Sequence, residues 1–401
     1  MAETDSVENI LLFISDSTKF ESLPATVREL GVTAQAIAPS TFTAPSFPSL
    51  ITGQYPADHG IWDFNDSLDR KPLLLSGDQD VGFRADTIWT DLEPEQKPPR
   101  RMLQIESTKN LDALEPPFVY VEHHKGGHLP YGYSFDECKS TDDFFKHKLG
   151  SFEDISSLYQ HSVDTAAERF VTLTEFLADA DLLESTLLIF VSDHGEVLGE
   201  AKYGRPIGHA RPMTPELVEV PLTFVGSGLP EGETIERTVS GIDIVPTCFG
   251  AREKQQPPDV SGVDLWNETP SPKRRVRSDV WQTTTIDKID HKFTKYKASS
   301  VWDSEGGRVY HQGPTYERLG YAMYVQLYAG HGTSFTRPQF GVRSASGLLK
   351  TYLPKHVEYG SPGFTVEQGK TELPEQYNRE RERCGTDQIP QEQLEKLGYL
   401  E

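Results

Sequence analysis

The sequence predicts an α/β protein with a mostly parallel central sheet flanked by helices, followed by a smaller C-terminal α+β subdomain. Three observations lead there. Two uninterrupted apolar runs, "NILLFIS" (Asn9 to Ser15) and "LLIFVS" (residues 187–192), have the composition of strands covered on both faces. Between them, apolar residues recur at helical spacing over a long segment. After residue 275 the texture changes to short Thr/Val/Tyr/Trp runs of the kind that pair antiparallel.

Taken in order, "NILLFIS" is the first strand and ends in Asp16. Residues 20–30 read as a helix and residues 32–37 as a short strand. Further strands are expected at Leu103 to Ile105 and in "PFVYVE" (Pro117 to Glu122). Glu153 to Ala180 carries Ile155, Leu158, Val163, Ala166, Phe170, Leu173 and Leu177 on one stripe, which predicts a long amphipathic helix. It feeds "STLLIFVSDHGE", the second strongly apolar strand, which ends in Asp193. "VPLTFVG" (Val220 to Gly226) is another buried strand, and "GIDIVPTCFG" a strand-to-helix corner or short helix. Strands alternating with helices imply a parallel sheet with right-handed crossovers. These readings divide the chain into a catalytic unit at 1–275, a smaller antiparallel subdomain at 276–366 and a charged tail at 367–401, helical in part or without order. The basic triplet at 273–275 is read as a solvated joint between the first two.

Composition narrows the function. The chain has 401 residues and a net charge of −22, from 61 acidic against 39 basic residues. Such a field repels phosphate backbones, so no nucleic-acid partner is expected. The acid surplus suits life in high salt, where screening removes self-repulsion, and equally an acidic cytosolic protein. Cys138, Cys248 and Cys384 stand far apart with no CxxC pair, which argues against a disulfide framework or a thiolate zinc site. The N-terminus "MAETDSVENILLFISD" lacks a basic start and a long apolar core, so it reads as a strand and predicts a cytoplasmic protein without a secretion signal. No apolar stretch is long enough to span a bilayer, and no membrane partner is expected.

In an open parallel sheet, sites form at the carboxyl ends of the strands. Asp16 closes one apolar strand, and Asp193 with His194 closes another. If the strands are neighbours, two carboxylates and an imidazole meet at one spot, where they repel unless they share a cation. Singly, each aspartate is also an ordinary helix cap. The segment "TFTAPSFPSLITG" adds a helix start near Pro45, whose unpaired N–H groups face any anion in front of them. Thr43 stands just before it, as an N-cap or as a nucleophile facing a metal.

"NILLFISDS", "TFTAPSFPSLITGQYPADHG", "FVYVEHHKGGHLPYG", "FVSDHGEVLGE", "VEVPLTFVGSG" and "SGIDIVPTCFG" stand in the order and spacing of the sulfatase-like members of the alkaline phosphatase superfamily, which this chain resembles over residues 8–265. The resemblance implies a metal-dependent ester hydrolase acting on a small anionic phosphate or sulfate ester. It implies that Asp16, Thr43, Asp193 and His194 hold a divalent ion (Mn, Zn, Ca or Mg) and that Thr43 is the nucleophile. His128 in "GGHLPY" and His209 in "IGHARP" match the family's residues that contact the anion or protonate the leaving group. One ion is expected rather than two, the second needing His124, His128 and His209 as ligands.

Two departures sharpen the expectation. Formylglycine sulfatases carry Cys or Ser at the first position of a Cys-x-Pro-x-Arg element, and here those positions are Thr43 and Phe47. Oxidised threonine would be a ketone rather than an aldehyde, so the expected chemistry is formylglycine-independent. Ser17 replaces a second aspartate after Asp16, making the site less negative. The other readings are a formylglycine-independent sulfuric ester hydrolase and a non-catalytic relative that binds an anion or a partner. His59 is expected to be structural, Lys125 an anion contact or a solvated cation, Tyr131 a packing neighbour of His128, and Asp243 the anchor of a helix start.

Overall fold

The computed structural model describes residues 7–85, 87–90, 92–93, 96–107, 109–286, 291–330, 332–377 and 396–397. The first 240 residues run through β1 (Asn9–Ser15), β2 (Val32–Ile37), β3 (Asp80–Arg84), β4 (Phe118–His124), β5 (Thr186–Val191), the small hairpin β6 (Val197–Leu198) and β7 (Ile207–Gly208), β8 (Glu219–Val225) and β9 (Glu233–Ser240). Seven of these form one sheet in the order β3-β4-β1-β5-β8-β2-β9. β8 runs antiparallel to both its neighbours, and the other pairings are parallel.

The two apolar strands are indeed neighbours, with Ile14 paired to Val191 on one side and to His123 on the other. Alternation then sorts their side chains. Ile10, Leu12 and Ile14 join Val119, Val121, Ile189 and Val191 on the face covered by the helix Thr43–Thr52. Leu11, Phe13, Tyr120, Leu188 and Phe190 line the opposite face, where Ala166, Phe170, Leu173 and Leu177 of the long helix Ile155–Asp179 close the layer. A fully buried side chain such as Phe170 contributes roughly 1.5–3 kcal/mol through burial.

Two expected elements differ. Residues 20–30 form only a 3-10 turn, Phe20–Ser22, and a one-turn helix, Ala25–Arg28. Pro24 lies between them and cannot donate the hydrogen bond that would join them. Leu103 ends the helix Pro98–Leu103 instead of starting a strand, because the Pro98-Pro99 pair pre-sets a helical first turn and Gln104 stops it in the left-handed region. β3 and β9 are not legible as apolar runs. They are the sheet's two edges, and their composition ("DVGFR", "ETIERTVS") is half polar.

β10 (Val276–Ile286), β11 (His291–Asp303), β12 (Gly306–His311) and β13 (His356–Gly360) form a separate four-stranded antiparallel sheet. Val280, Tyr296, Ala298 and Trp302 from this sheet share the core that covers the site-bearing face of the large one. Asp279 N–H donates to the Pro39 carbonyl at 2.9 Å, and Met213 N–H to the Tyr296 hydroxyl at 3.2 Å. Between β12 and β13 the chain makes a helical insert, with helices at Thr315–Tyr324 and Val342–Tyr352.

The basic triplet is not a solvated joint. Arg274 makes two bonds to the buried Asp243 carboxylate, at 2.7 and 2.6 Å, and Arg275 pairs with Glu372. Asp243 closes a capping box with Ser240 on the 3-10 turn Gly241–Asp243, which leads into the helix Ile244–Ala251, and it needs a cation once buried. In the expected tail, Tyr377 packs on Trp62 and Trp281, and Leu397 is buried. Residues 378–395 and 398–401, including Cys384, lie outside the described residues. Cys138 and Cys248 are buried and unpaired. Among the described residues, no helix is long and apolar enough to cross a membrane.

Candidate active site

Asp16, His123 and Asp193 continue the alternation of β1, β4 and β5 onto one face, and they meet where the helix Thr43–Thr52 begins. Thr43 is the first residue of that helix and does not cap it: Phe42 holds the cap position without a side-chain bond. The Thr43 hydroxyl instead turns into the site, 3.3 Å from Asp16 Oδ2 and 3.2 Å from His194 Nε2. Ser46, one turn on, donates to the Asp193 carbonyl and ties the helix to the end of β5.

His194 Nδ1 lies 2.9 Å from the Gly195 carbonyl and donates to it, so Nε2 presents its lone pair to the site. His194 Nε2 stands 3.4 Å from Asp16 Oδ1 and 3.6 Å from Asp193 Oδ2. Asp193 Oδ1 accepts the backbone N–H of His194 at 3.0 Å and of Ser17 at 3.4 Å, whereas Oδ2 is buried with no hydrogen-bond partner. Ser17 makes this possible from a left-handed turn (φ 58°), and its hydroxyl donates to Asp16 Oδ1 at 2.8 Å. The serine that replaces a carboxylate therefore acts as a donor.

The electrostatics follow from burying two carboxylates side by side. Burial and the Asp16 charge push the Asp193 carboxyl up to about 6. Burial works to raise Asp16 as well, yet His128, His123 and His194 around it hold it well below the usual carboxylate range. The His194 imidazole is raised: burial opposes its charge, and Asp193 with Asp16 overcomes that.

A second cluster adjoins the first. The His209 ring centre lies 4.8 Å from that of His194 and 5.1 Å from that of His128. His209 Nδ1 donates to Glu196 Oε2 at 3.3 Å, and the Tyr131 hydroxyl donates to Glu196 Oε1 at 2.6 Å. Burial pushes Glu196 up to about 7. His128 donates from Nδ1 to the Leu129 carbonyl, and burial pushes it down to about 4. Tyr131 thus serves Glu196 more than it packs on His128.

The loop "HHKGGH" passes tightly under β1. A Cβ on Gly126 would sit 2.3 Å from the Asp16 carbonyl, and one on Gly127 2.7 Å from that of Ser17, which explains the glycine pair. Lys125 is not solvated: it is buried beside the site, 3.4 Å from Ser162 Oγ, and burial pushes its ammonium down to about 7. His59 is structural, bonded to Ser49 and to the Ile61 N–H.

Every residue predicted for the site (Asp16, Thr43, His128, Asp193, His194, His209) lies in this one region, and His124 does not. His124 turns to the opposite face of the sheet and stacks on Phe13 at 5.6 Å, so it cannot help to hold a second ion. Its neighbour His123 takes the inward position, donating from Nε2 to Asp16 Oδ2 at 3.2 Å and packing on Phe47 at 5.0 Å. Phe47, which replaces an arginine, thus covers the histidine that steadies Asp16. His123 and Glu196 were missed from sequence. Parity sets His123 with Val119 and Val121, but both parities of "FVYVEHH" carry apolar residues, so only the register with β1 shows which one faces Asp16.

Among the described residues, two groups of donors could hold an ion: Asp16, Asp193 and His194, or His194, Glu196 and His209, with the ligand atoms of each group within 4.8 Å of one another. The first fits better. It alone offers an unsatisfied buried carboxylate oxygen, whereas both Glu196 oxygens already accept hydrogen bonds. Two carboxylates, an imidazole and a hydroxyl form a hard-to-borderline donor set.

Comparison with known proteins places this geometry. The Sulfatase family model matches residues 100–252. The low-salt glycan biosynthesis sulfotransferase Agl7 of Haloferax volcanii is 37% identical over 396 residues, covering 98% of this chain and 96% of that one. Among solved structures, the phosphonate monoester hydrolase of Agrobacterium radiobacter superposes with a TM-score of 0.55 at 15% identity, over 81% of this chain and 96% of that one. A protein bound to its substrate D-glucosamine-2-N,6-O-disulfate gives the same score at 13% identity, over 84% and 98%. With a full-length relative, a matching family model and the shared fold, this chain belongs to the sulfatase family.

Proposed function

We propose that this chain moves the sulfuryl group of a small anionic sulfate ester through Thr43 to an acceptor hydroxyl, that of a sugar or of water. The observation that carries the reading is the Thr43 hydroxyl, which caps nothing and points between Asp16 Oδ2 and His194 Nε2 at a helix N-terminus. The sulfotransferase name of the 37% identical relative favours sulfate and an acceptor other than water. A phosphate ester is the second reading, since the resemblance implies a phosphate ester as readily as a sulfate ester.

A single divalent cation held by Asp16, Asp193, His194 and Thr43 would release the hydroxyl proton to solvent on binding and polarise the ester oxygens. The rest falls to the chain's own groups. Asp16, steadied by His123 and Ser17, aims Thr43 Oγ1 outward. Oγ1 forms a bond to sulfur while the bond to the ester oxygen breaks, and the departing oxygen keeps the electron pair. The His209 ring, held through Nδ1 by Glu196, donates a proton to that oxygen from Nε2. His128 contacts the anion, whose charge favours the protonated ring against the burial that now disfavours it. Lys125 is buried near the site, where a bound anion would favour its protonated form against the burial that disfavours it. The acceptor oxygen then attacks sulfur in line and its proton passes to His209, while the Oγ1–S bond breaks and Thr43 Oγ1 keeps the electron pair, which regenerates Thr43.

The test is to incubate the protein with an aryl sulfate and Mn²⁺, quench in acid and examine the peptide containing Thr43 by mass spectrometry. A sulfated Thr43 peptide that disappears on adding a sugar acceptor, with sulfated sugar appearing, is expected. Turnover without any Thr43 adduct would mean that the ester is attacked directly by water. A phosphorylated peptide from the matching aryl phosphate, with none from the sulfate, would select the second reading.

A further inference from the structure

The helical insert between β12 and β13 has a surface unlike the rest of the chain. Over residues 314–355 there is one acidic residue, Glu317, against five basic ones, in a chain whose acids outnumber its bases by 61 to 39. Nine large apolar side chains stand exposed among the described residues, and seven belong to this insert: Tyr316, Met323, Tyr324, Tyr328, Val342, Leu349 and Leu353.

Their spacing makes two outward stripes. Tyr316, Met323, Tyr324 and Tyr328 follow one face of the helix Thr315–Tyr324 and its continuation, while Arg318 and Ala322 of that helix are buried. Val342, Leu349 and Leu353 follow one face of Val342–Tyr352, with Val342 89% exposed. The other face of that helix is seated on the catalytic unit, where a Cβ on Gly347 would lie 2.3 Å from the Ala201 carbonyl. Arg343, Lys350 and Lys355 are exposed along the same stretch. Apolar patches of this extent, with tyrosines and basic residues interleaved and acids excluded, mark a surface that meets another phase or partner.

We propose that this face docks on a bilayer surface bearing anionic headgroups. Charge complementarity selects that occupant: a second copy of the same face would set basic against basic, whereas anionic headgroups pair with Arg343 and Lys350 while Tyr, Val and Leu enter the interfacial layer. The net charge of −22 does not forbid it. Screening falls to about 8 Å at physiological ionic strength and about 3 Å at 1 M, so the carboxylates elsewhere are not felt at the contact. His209, Arg211, Ala322, Gln326 and Tyr352 line a cleft on the other, buried side of the insert, so docking would leave that cleft clear of the lipid contact.

Flotation with phosphatidylglycerol or phosphatidylcholine vesicles tests this without any turnover. The wild-type chain is expected to float with the anionic vesicles and less with the neutral ones. The triple variant Tyr328→Glu/Val342→Glu/Leu349→Glu should lose at least about tenfold in partition, with its melting temperature and its turnover of a soluble aryl ester unchanged. The pair Arg343→Glu/Lys350→Glu should remove the preference for anionic lipid alone. The proposal falls if the wild type floats with neither vesicle, if the triple variant floats as well as the wild type, or if sedimentation shows a dimer that the triple variant dissolves.

Discussion

The carboxyl edge of the large sheet and the outward face of the insert break the ordinary rule of burial in opposite directions. At the sheet edge, Asp16, Asp193, His194, Glu196 and Lys125 are buried charges or potential charges. On the insert, Tyr328 and Val342 are apolar groups in water. Each arrangement is costly for the chain alone, and each makes sense when something from outside the chain contributes: a cation and an anionic ester at the first, a lipid surface at the second. The lesson is that displaced polarity, of either sign, singles out the regions where a partner from outside the chain is worth testing.

The largest expected effect tests the first half of that contrast. Thr43→Ala should lower kcat at least about a thousandfold while leaving the far-ultraviolet spectrum unchanged, because the hydroxyl caps no helix. If activity persists, Thr43 is not the nucleophile. Glu196→Gln comes next. It keeps an acceptor for Tyr131 but removes the charge that holds His209, and kcat should fall by about 10–100-fold, with KM for a soluble ester changing far less. Equal losses in both parameters would make Glu196 a binding residue rather than one that positions His209.

Lys125 supplies a prediction about stability. Its folded-state pKa is pushed down to about 7 from 10.5, so between those values the unfolded chain binds the extra proton. Stability of the metal-free, substrate-free protein should therefore rise with pH across that window, by up to about 1.4 kcal/mol per unit from this one group. In Lys125→Met that component of the slope should vanish in urea melts, and an unchanged slope would mean that Lys125 is already solvated in the folded state. The smallest effect is expected on the insert, where Val342→Ser should change stability by no more than about 0.5 kcal/mol in the same melts. A larger loss would show that Val342 is packed in solution and that the contrast between the two regions is false.

Much of this was legible before any coordinates. The apolar runs of β1 and β5 determined that these strands are buried on both faces, and the Ser-Asp ending of each put a carboxylate at the carboxyl edge of the sheet. Thr43 with Phe47 set the expectation of chemistry without formylglycine, since oxidised threonine would be a ketone, which is a matter of covalent structure alone. Edge strands β3 and β9 escaped because half-exposed strands carry no continuous apolar signal. Tertiary structure alone decided that β4 lies beside β1, and so which histidine of "EHH" faces Asp16: His123 and His124 are chemically identical, and only register and pleat separate them. It likewise decided that Glu196 is saturated by Tyr131 and His209 while Asp193 keeps an oxygen unsatisfied, and that Arg274 is spent on Asp243. Sequence determines which groups a chain can offer, whereas their partners are set by packing between segments far apart in the chain, where local pattern carries no information.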